Sequence, residues 1–238
     1  MCETCGCGEH LHEERTVTLK QDILQENNQQ AEQIRAYLRS KRIYCLNLMS
    51  SPGSGKTTLL EETIRRLTVG TIREQSQLPI YVIEGDQHTD NDTHRIAALH
   101  VPVLQINTGT GCHLEAKHTM QAIKQLNPEE DAILFIENVG NLVCPSLFDL
   151  GETRKVLIVS TTEGEDKPLK YPYIFQEADV CIINKIDLLP YLHIDMQALR
   201  SNALKVNPHL RLFEVSALKG TGMDIWCSWL IEELAKCK

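Results

Sequence analysis

Along the chain, the hydrophobic rhythm changes once, near residue 41. Residues 16 to 40 are mostly polar, with Ile23, Ile34 and Leu38 spaced for one weak helical face amid many Gln and Glu. Beyond them, short apolar runs of strand length recur at 43–49, 80–84, 103–106, 132–137, 156–160, 180–184 and 211–215. Helical stretches lie between most of these runs, at 56–67, 92–99, 113–126, 196–206 and 223–235. Strands that are apolar on both faces and alternate with helices predict an α/β domain. Its sheet is mostly parallel, of about seven strands, with helices on both faces. The expected organisation is a flexible Cys-rich tail over residues 1–15, an N-terminal helix over 16–40 packing on the domain, and the domain itself over 41–238. No internal repeat or low-complexity linker interrupts it.

Ligands of such sheets bind beyond the carboxyl ends of the strands, and the polar motifs fall there. The first run leads into Ser50-Ser51-Pro52-Gly53-Ser54-Gly55-Lys56-Thr57-Thr58 and then a helix. This is the phosphate-binding loop of P-loop NTPases, with Ser50 where the strict pattern has Gly. Gly53, Ser54 and Gly55 keep the loop small, so its backbone N–H groups can converge on phosphate oxygens at the positive end of the helix. Lys56 is expected to reach the β- and γ-phosphates, and Thr57 to ligate Mg²⁺. Asn184-Lys185-Ile186-Asp187 closes the 180–184 run and matches a guanine-reading motif. One carboxylate, that of Asp187, can accept from both N1–H and N2–H₂ of guanine, a donor pair adenine lacks. Ser216 and Ala217 follow the last strand, where a backbone donor for guanine O6 is expected. GTP and GDP are therefore the expected nucleotides.

Glu84-Gly85-Asp86 and Glu137-Asn138-Val139-Gly140 end two further strands. Asp86 or Glu137 could hold Mg²⁺, directly or through water, and Asp86 could instead orient the attacking water. No catalytic Gln or Arg finger stands out, so slow intrinsic hydrolysis is expected.

The net charge of −8 argues against a general nucleic-acid binder, and no window approaches the length of a membrane span. The opening MCETCGCGEH lacks the basic start and apolar stretch of a signal peptide, which points to the cytoplasm. There, nine cysteines read as metal or redox chemistry rather than disulfides. Cys45 and Cys181 sit in apolar runs and pack as small hydrophobes; Cys227 and Cys237 lie in the last helix and at the terminus. Two groups of soft ligands remain. Cys112, His113 and Cys144 occupy two loops on the nucleotide rim and suit Ni²⁺ or Zn²⁺, with water or a second subunit completing the site. Cys2, Cys5 and Cys7 can converge on one ion, with the α-amine of Cys2 as a further donor if Met1 is removed. Such a set suits Ni²⁺, although Zn²⁺ and Cu⁺ also take thiolates.

Taken together, these segments resemble the HypB family, the nickel-insertion GTPases of [NiFe]-hydrogenase maturation. The resemblance rests on the Cys2-to-Gly8 segment, the P-loop, Gly85-Asp86, Thr89-Asp90-Asn91-Asp92, Gly111-Cys112-His113, 137–142, Cys144-Pro145 and 184–187. It also takes in Glu163-Gly164-Glu165-Asp166-Lys167-Pro168, whose residue chemistry alone explains nothing. The resemblance implies a homodimer formed or tightened by GTP, with Cys112, His113 and Cys144 near its interface, and a higher-affinity nickel site at Cys2, Cys5 and Cys7. It implies two partners, a HypA-like nickel/zinc metallochaperone and the hydrogenase large-subunit precursor. Some family members carry a long His-rich stretch after the Cys motif; here only His10 and His12 stand there, which argues against bulk nickel storage. Two other readings fit parts of the pattern: a urease-accessory nickel GTPase, and a nickel or zinc buffer or sensor with vestigial nucleotide binding.

Overall fold

The computed structural model describes residues 7–68, 78–86 and 91–237, side chains of 7–23 and 91 excepted. Cys2 and Cys5, the side chains of Cys7, His10 and His12, and Thr89-Asp90 therefore lie outside the described residues.

The first helix, α1, spans Cys7–Ser40 and so starts well before residue 16, at the last cysteine of the expected tail. The reason is local. From Glu9 to Ser40 the chain has no Gly or Pro and is rich in Glu, Gln, Leu, Lys and Arg, all good helix formers. The seven expected strands are β1 (Tyr44–Ser50), β2 (Ile80–Asp86), β3 (Val103–Asn107), β4 (Ile133–Glu137), β5 (Arg154–Ser160), β6 (Val180–Asn184) and β7 (Arg211–Glu214). They form one sheet in the order β3-β2-β4-β1-β5-β6-β7, and every pairing is parallel. All strand carboxyl ends therefore share one rim. The order reverses at β1, which has β4 on one side and β5 on the other, and such a switch point opens a crevice for ligands.

The expected helices are present as α2 (Lys56–Thr68), α3 (Asn91–Ala97), α4 (Ala116–Leu126), α8 (Met196–Val206) and α9 (Met223–Lys236). Between α4 and α8 the chain adds three short helices not anticipated from the sequence: α5 (Cys144–Leu147), α6 (Lys167–Lys170) and α7 (Pro172–Glu177). Side chains alternate across each strand. Tyr44, Leu46 and Leu48 of β1 and Ile133 and Phe135 of β4 pack in one core with Leu59 and Leu60 of α2 and Trp226 and Leu230 of α9. Cys45, Leu134 and Ile136 face the other side, with Ala31, Ile34 and Leu38 of α1 and Ala122 and Ile123 of α4. Met49, Leu157 and Cys181 continue that side under α7 and α8. Cys45 and Cys181 are buried there as small apolar groups, and burial raises both thiols well above the ordinary range. The same alternation sends Glu137 toward α2 and the next residue, Asn138, toward α1.

Candidate functional site

The phosphate loop leaves β1 and turns at Gly53 (φ +76°) and Gly55 (φ +91°) before α2 starts at Lys56. A side chain at Gly55 would stand 2.6 Å from Asn184 Nδ2, so this position requires glycine for close approach as well as for backbone angle. Lys56 Nζ and Thr57 Oγ1 both donate to Glu137 Oε1, at 2.7 and 2.6 Å. Glu137 is wholly buried, and its other oxygen has no hydrogen-bond partner. Asp86, a candidate for holding Mg²⁺ or orienting water, lines a cavity of about 460 Å³ with Lys56, Thr57 and Glu84, and the carboxylate that meets Glu137 is that of Glu84. Glu84 and Glu137 are register partners on β2 and β4, and parallel pairing puts their side chains on one face. With Asp92 they place three carboxylate oxygens within 4.8 Å of one another, a separation a hard divalent cation can bridge. Glu84 Oε2 is also buried without a hydrogen-bond partner.

Burial, and then the neighbouring charge of Glu137, push the Glu84 carboxyl up to about 9. The folded protein thus holds a proton that the unfolded chain releases near pH 4.5. Stability conferred by this position is intact below that value and falls as pH rises toward 9. Glu84→Gln is expected to stabilise the nucleotide-free protein by about 3 kcal/mol at pH 7. Above the unfolded-state value, keeping the carboxyl protonated costs the folded state about 1.4 kcal/mol for each pH unit, and the amide escapes that cost. The gain should vanish near pH 4 and be largest near pH 9. Urea melts of both proteins at pH 5, 7 and 8.5 check this, and identical midpoints at all three would refute it.

At the other end of the cavity, Asn184 ties three loops together. Its Nδ2 donates to Ser54 O at 3.0 Å, and its Oδ1 accepts from Lys185 N at 2.8 Å and Ala217 N at 3.1 Å. The Ala217 amide, expected to face guanine O6, is directed at Asn184 here. Lys185 adopts a left-handed conformation (φ 63°) and its Nζ donates to Gly53 O at 2.6 Å. Thr161 Oγ1 donates to Lys185 O at 2.9 Å, which gives the loop after β5 a structural task beside the guanine motif. Ser216 Oγ donates to Asp187 Oδ1 at 2.5 Å, which fixes the carboxylate's orientation.

The soft ligands meet on the same rim. The ligand atoms of Cys112, His113 and Cys144 all lie within 4.8 Å of one another, although Cys112 stands in the loop after β3 and Cys144 opens α5, after β4. Cys112 Sγ is 3.6 Å from His113 Nδ1. The imidazole stacks on Phe148, with ring centroids 3.9 Å apart, and its buried Nε2 has no hydrogen-bond partner. Burial holds the His113 ring below its ordinary value, against the opposing pull of Glu115, 3.9 Å away. A neutral ring is the form that binds a metal. The Cys144 thiol is raised, first by its hydrogen bond with Cys112 and then by burial. Helix α4 starts at Ala116 rather than near 113 because its lead-in is held extended: Leu114 N donates to Asn138 Oδ1 at 3.1 Å, and Ala116 N to Asn27 Oδ1 at 2.9 Å.

Comparisons with known proteins bear on this arrangement. The pattern of the CobW/HypB/UreG nucleotide-binding domain matches residues 45–214. The chain is 48% identical to the hydrogenase maturation factor HypB of Escherichia coli (strain K12) over 227 residues, covering 95% of this chain and 75% of that protein. The chain belongs to the HypB family. A HypB from Azotobacter vinelandii is 51% identical over 92% of this chain and 70% of its own length. The crystal structure of HypB from Helicobacter pylori in complex with nickel superposes with a TM-score of 0.78 at 33% identity, covering 89% of this chain and 96% of that one.

Several residues at this HypB-family site carry no motif signature. Glu84 gains its place from strand register, and Asn27, Asn138 and Phe148 gain theirs from tertiary packing. Arg95 reaches the cavity rim from α3, bonded to Glu61, Asp92 and Thr58, although no Arg finger stands out in the sequence. Among the described residues, no helix is long and apolar enough to cross a membrane.

Proposed function

We propose that this HypB-family chain is a GTPase that carries nickel and delivers it to the large-subunit precursor during [NiFe]-hydrogenase maturation. One observation carries the reading. Consecutive residues leave β4 for opposite faces: Glu137 bonds Lys56 and Thr57, while Asn138 Oδ1 holds Leu114 N, the amide next to His113. Cys144 follows in the same segment. A change in what Lys56 and Thr57 contact is therefore transmitted to the segment that holds the soft ligands, through one strand end.

In this reading Lys56 neutralises the β- and γ-phosphates, the loop from Gly53 to Thr58 cradles them, and Asn184, Lys185, Asp187, Ser216 and Ala217 form the guanine pocket. The unpartnered oxygens of Glu84 and Glu137 fit a hard divalent cation, and Thr57 and Asp86 stand on the same cavity. Mg²⁺ held there would offset phosphate charge during transfer. Cys112, His113 and Cys144 take Ni²⁺, with Zn²⁺ as competitor, and the relative described in complex with nickel supports that choice. Three ligands leave the coordination incomplete, and Val143 and Leu147, 56% and 44% exposed, flank Cys144. Both features support a GTP-dependent homodimer across this surface. The proposal extends to nickel loading at Cys2, Cys5 and Cys7, to a HypA-like metallochaperone as donor, and to a cytoplasmic setting.

Nickel affinity measured with GDP and with a non-hydrolysable GTP analogue tests the switch. A tenfold difference, about 1.4 kcal/mol of coupling, is expected, and nickel must change GTP affinity by the same factor. Asn138→Ala should shrink that difference below about threefold while leaving GDP affinity unchanged, because it removes both the acceptor for Leu114 N and the donor to Asn47 Oδ1 from a coupled network. Equal nickel affinities in both nucleotide states would sink the switch.

A further inference from the structure

Two polar side chains of helix α1, Asn27 and Arg35, make contacts that its apolar packing does not require. Asn27 is buried, with 6% of its surface exposed, and its amide is shared between two loops. Its Oδ1 accepts from Ala116 N at 2.9 Å, and its Nδ2 donates to Asp149 O at 2.8 Å. Ala116 is the first residue of α4, and the N-cap residue, Glu115, provides no side-chain cap of its own. A group from a distant helix therefore accepts from one of the amides that a helix start leaves without an intrahelical partner. Asp149 follows Phe148, whose ring stacks on His113. One side chain thus clamps both the lead-in carrying Cys112 and His113 and the segment carrying Phe148.

A second tie fixes the same loop. Arg35, also on α1, donates through its Nη2 to both oxygens of Asp149, each at 2.8 Å. The loop backbone also approaches the helix closely: a side chain at Gly151 would stand 2.6 Å from Ala31 O and Ile34 Cβ. The loop has no freedom to drift from α1 while these contacts hold.

We infer that Asn27 is a positioning residue of the Cys112/His113/Cys144 site, so that α1, the helix that opens at Cys7, sets how well that site takes a metal. The inference rests on reading those three residues as a metal site. It assigns Asn27 no contact with the ion. Its work is to hold the His113 ring and the Cys112 thiol where Cys144 can join them.

The test uses the full chain with Cys2, Cys5 and Cys7 changed to Ser, so that only the domain site reports. Ni²⁺ is titrated and read by its thiolate charge-transfer absorption, with GDP affinity measured in parallel as a check on the fold. Asn27→Ala is expected to weaken Ni²⁺ about tenfold and to alter the absorption band, as loss of an orienting partner commonly does. GDP affinity should not change. Asn27→Asp keeps the acceptor for Ala116 N and loses the donor to Asp149 O, so an intermediate loss of about threefold is expected. That variant decides the matter if the alanine chain does not fold. Parent-like affinity and spectrum in the variants would overturn the inference alone. No Ni²⁺ band in the parent, or an unchanged one in Cys144→Ala, would overturn the metal-site reading and this inference with it.

Discussion

Replacing Lys56 with Met is expected to lower single-turnover GTP hydrolysis about 10³-fold, as removal of a preorganised charge from a phosphoryl-transfer site commonly does. The structure adds a second consequence. Lys56 is the cation beside Glu137, a wholly buried carboxylate that already faces Glu84 across the β2–β4 register. Removing it leaves a buried acid without its partner, which costs roughly 3 kcal/mol of stability in the nucleotide-free protein. The two effects separate in the double variant. Adding Glu137→Gln removes the stranded charge and should restore the urea midpoint, but hydrolysis should stay low because the phosphate-facing ammonium is still missing. If Lys56→Met turns over GTP normally, the phosphate assignment fails. If it loses activity but keeps full stability, the Lys56–Glu137 pair contributes little to the fold.

The parts of this site that were legible in the sequence are those whose chemistry is local. The run from Ser50 to Thr58 and the segment from Asn184 to Asp187 carry their spacing within one turn of chain, so strand, loop and helix could be placed without knowing any neighbour. The parallel α/β pattern added that all such loops share a rim, which was enough to bring Cys112 and His113 toward Cys144. Contacts between strands were not legible. Alternation tells which face a residue points to, but strand order and register decide what stands beside it, and these put Glu84 opposite Glu137. Asn47 interrupts the apolar 43–49 run. It proved to belong to a buried chain in which Asn138 Nδ2 donates to Asn47 Oδ1, at 3.2 Å, and Asn47 Nδ2 donates to Glu152 Oε1, also at 3.2 Å. The start of α1 was misplaced for another reason. A polar helix with a weak apolar face gives little periodic signal, and its propensity carries it back to Cys7.

Replacing Asp187 with Asn is expected to weaken GDP about 10³-fold, since two charge-assisted bonds of roughly 2 kcal/mol each are at stake. The expectation follows from the loop's construction. Asp187 is oriented by Ser216 Oγ, which in turn accepts from Lys219 N at 3.1 Å, so the carboxylate edge is preset before a base arrives. A carboxylate has only acceptors, matching the two donors of guanine; an amide offers one acceptor and one donor and leaves a donor facing N2–H₂. The mismatch predicts its own rescue. Xanthine replaces N2–H₂ with a carbonyl, so the Asn variant should bind XDP more tightly than GDP, with Mg²⁺ and the phosphate loop unchanged. Competition titrations of GDP, XDP and ADP against a fluorescent nucleotide read this directly. Equal loss of GDP and XDP would mean that the substitution damages the loop rather than the base contact. Undiminished GDP binding would remove Asp187 from the guanine pocket, and with it the main reason for reading this HypB-family chain as specific for GTP.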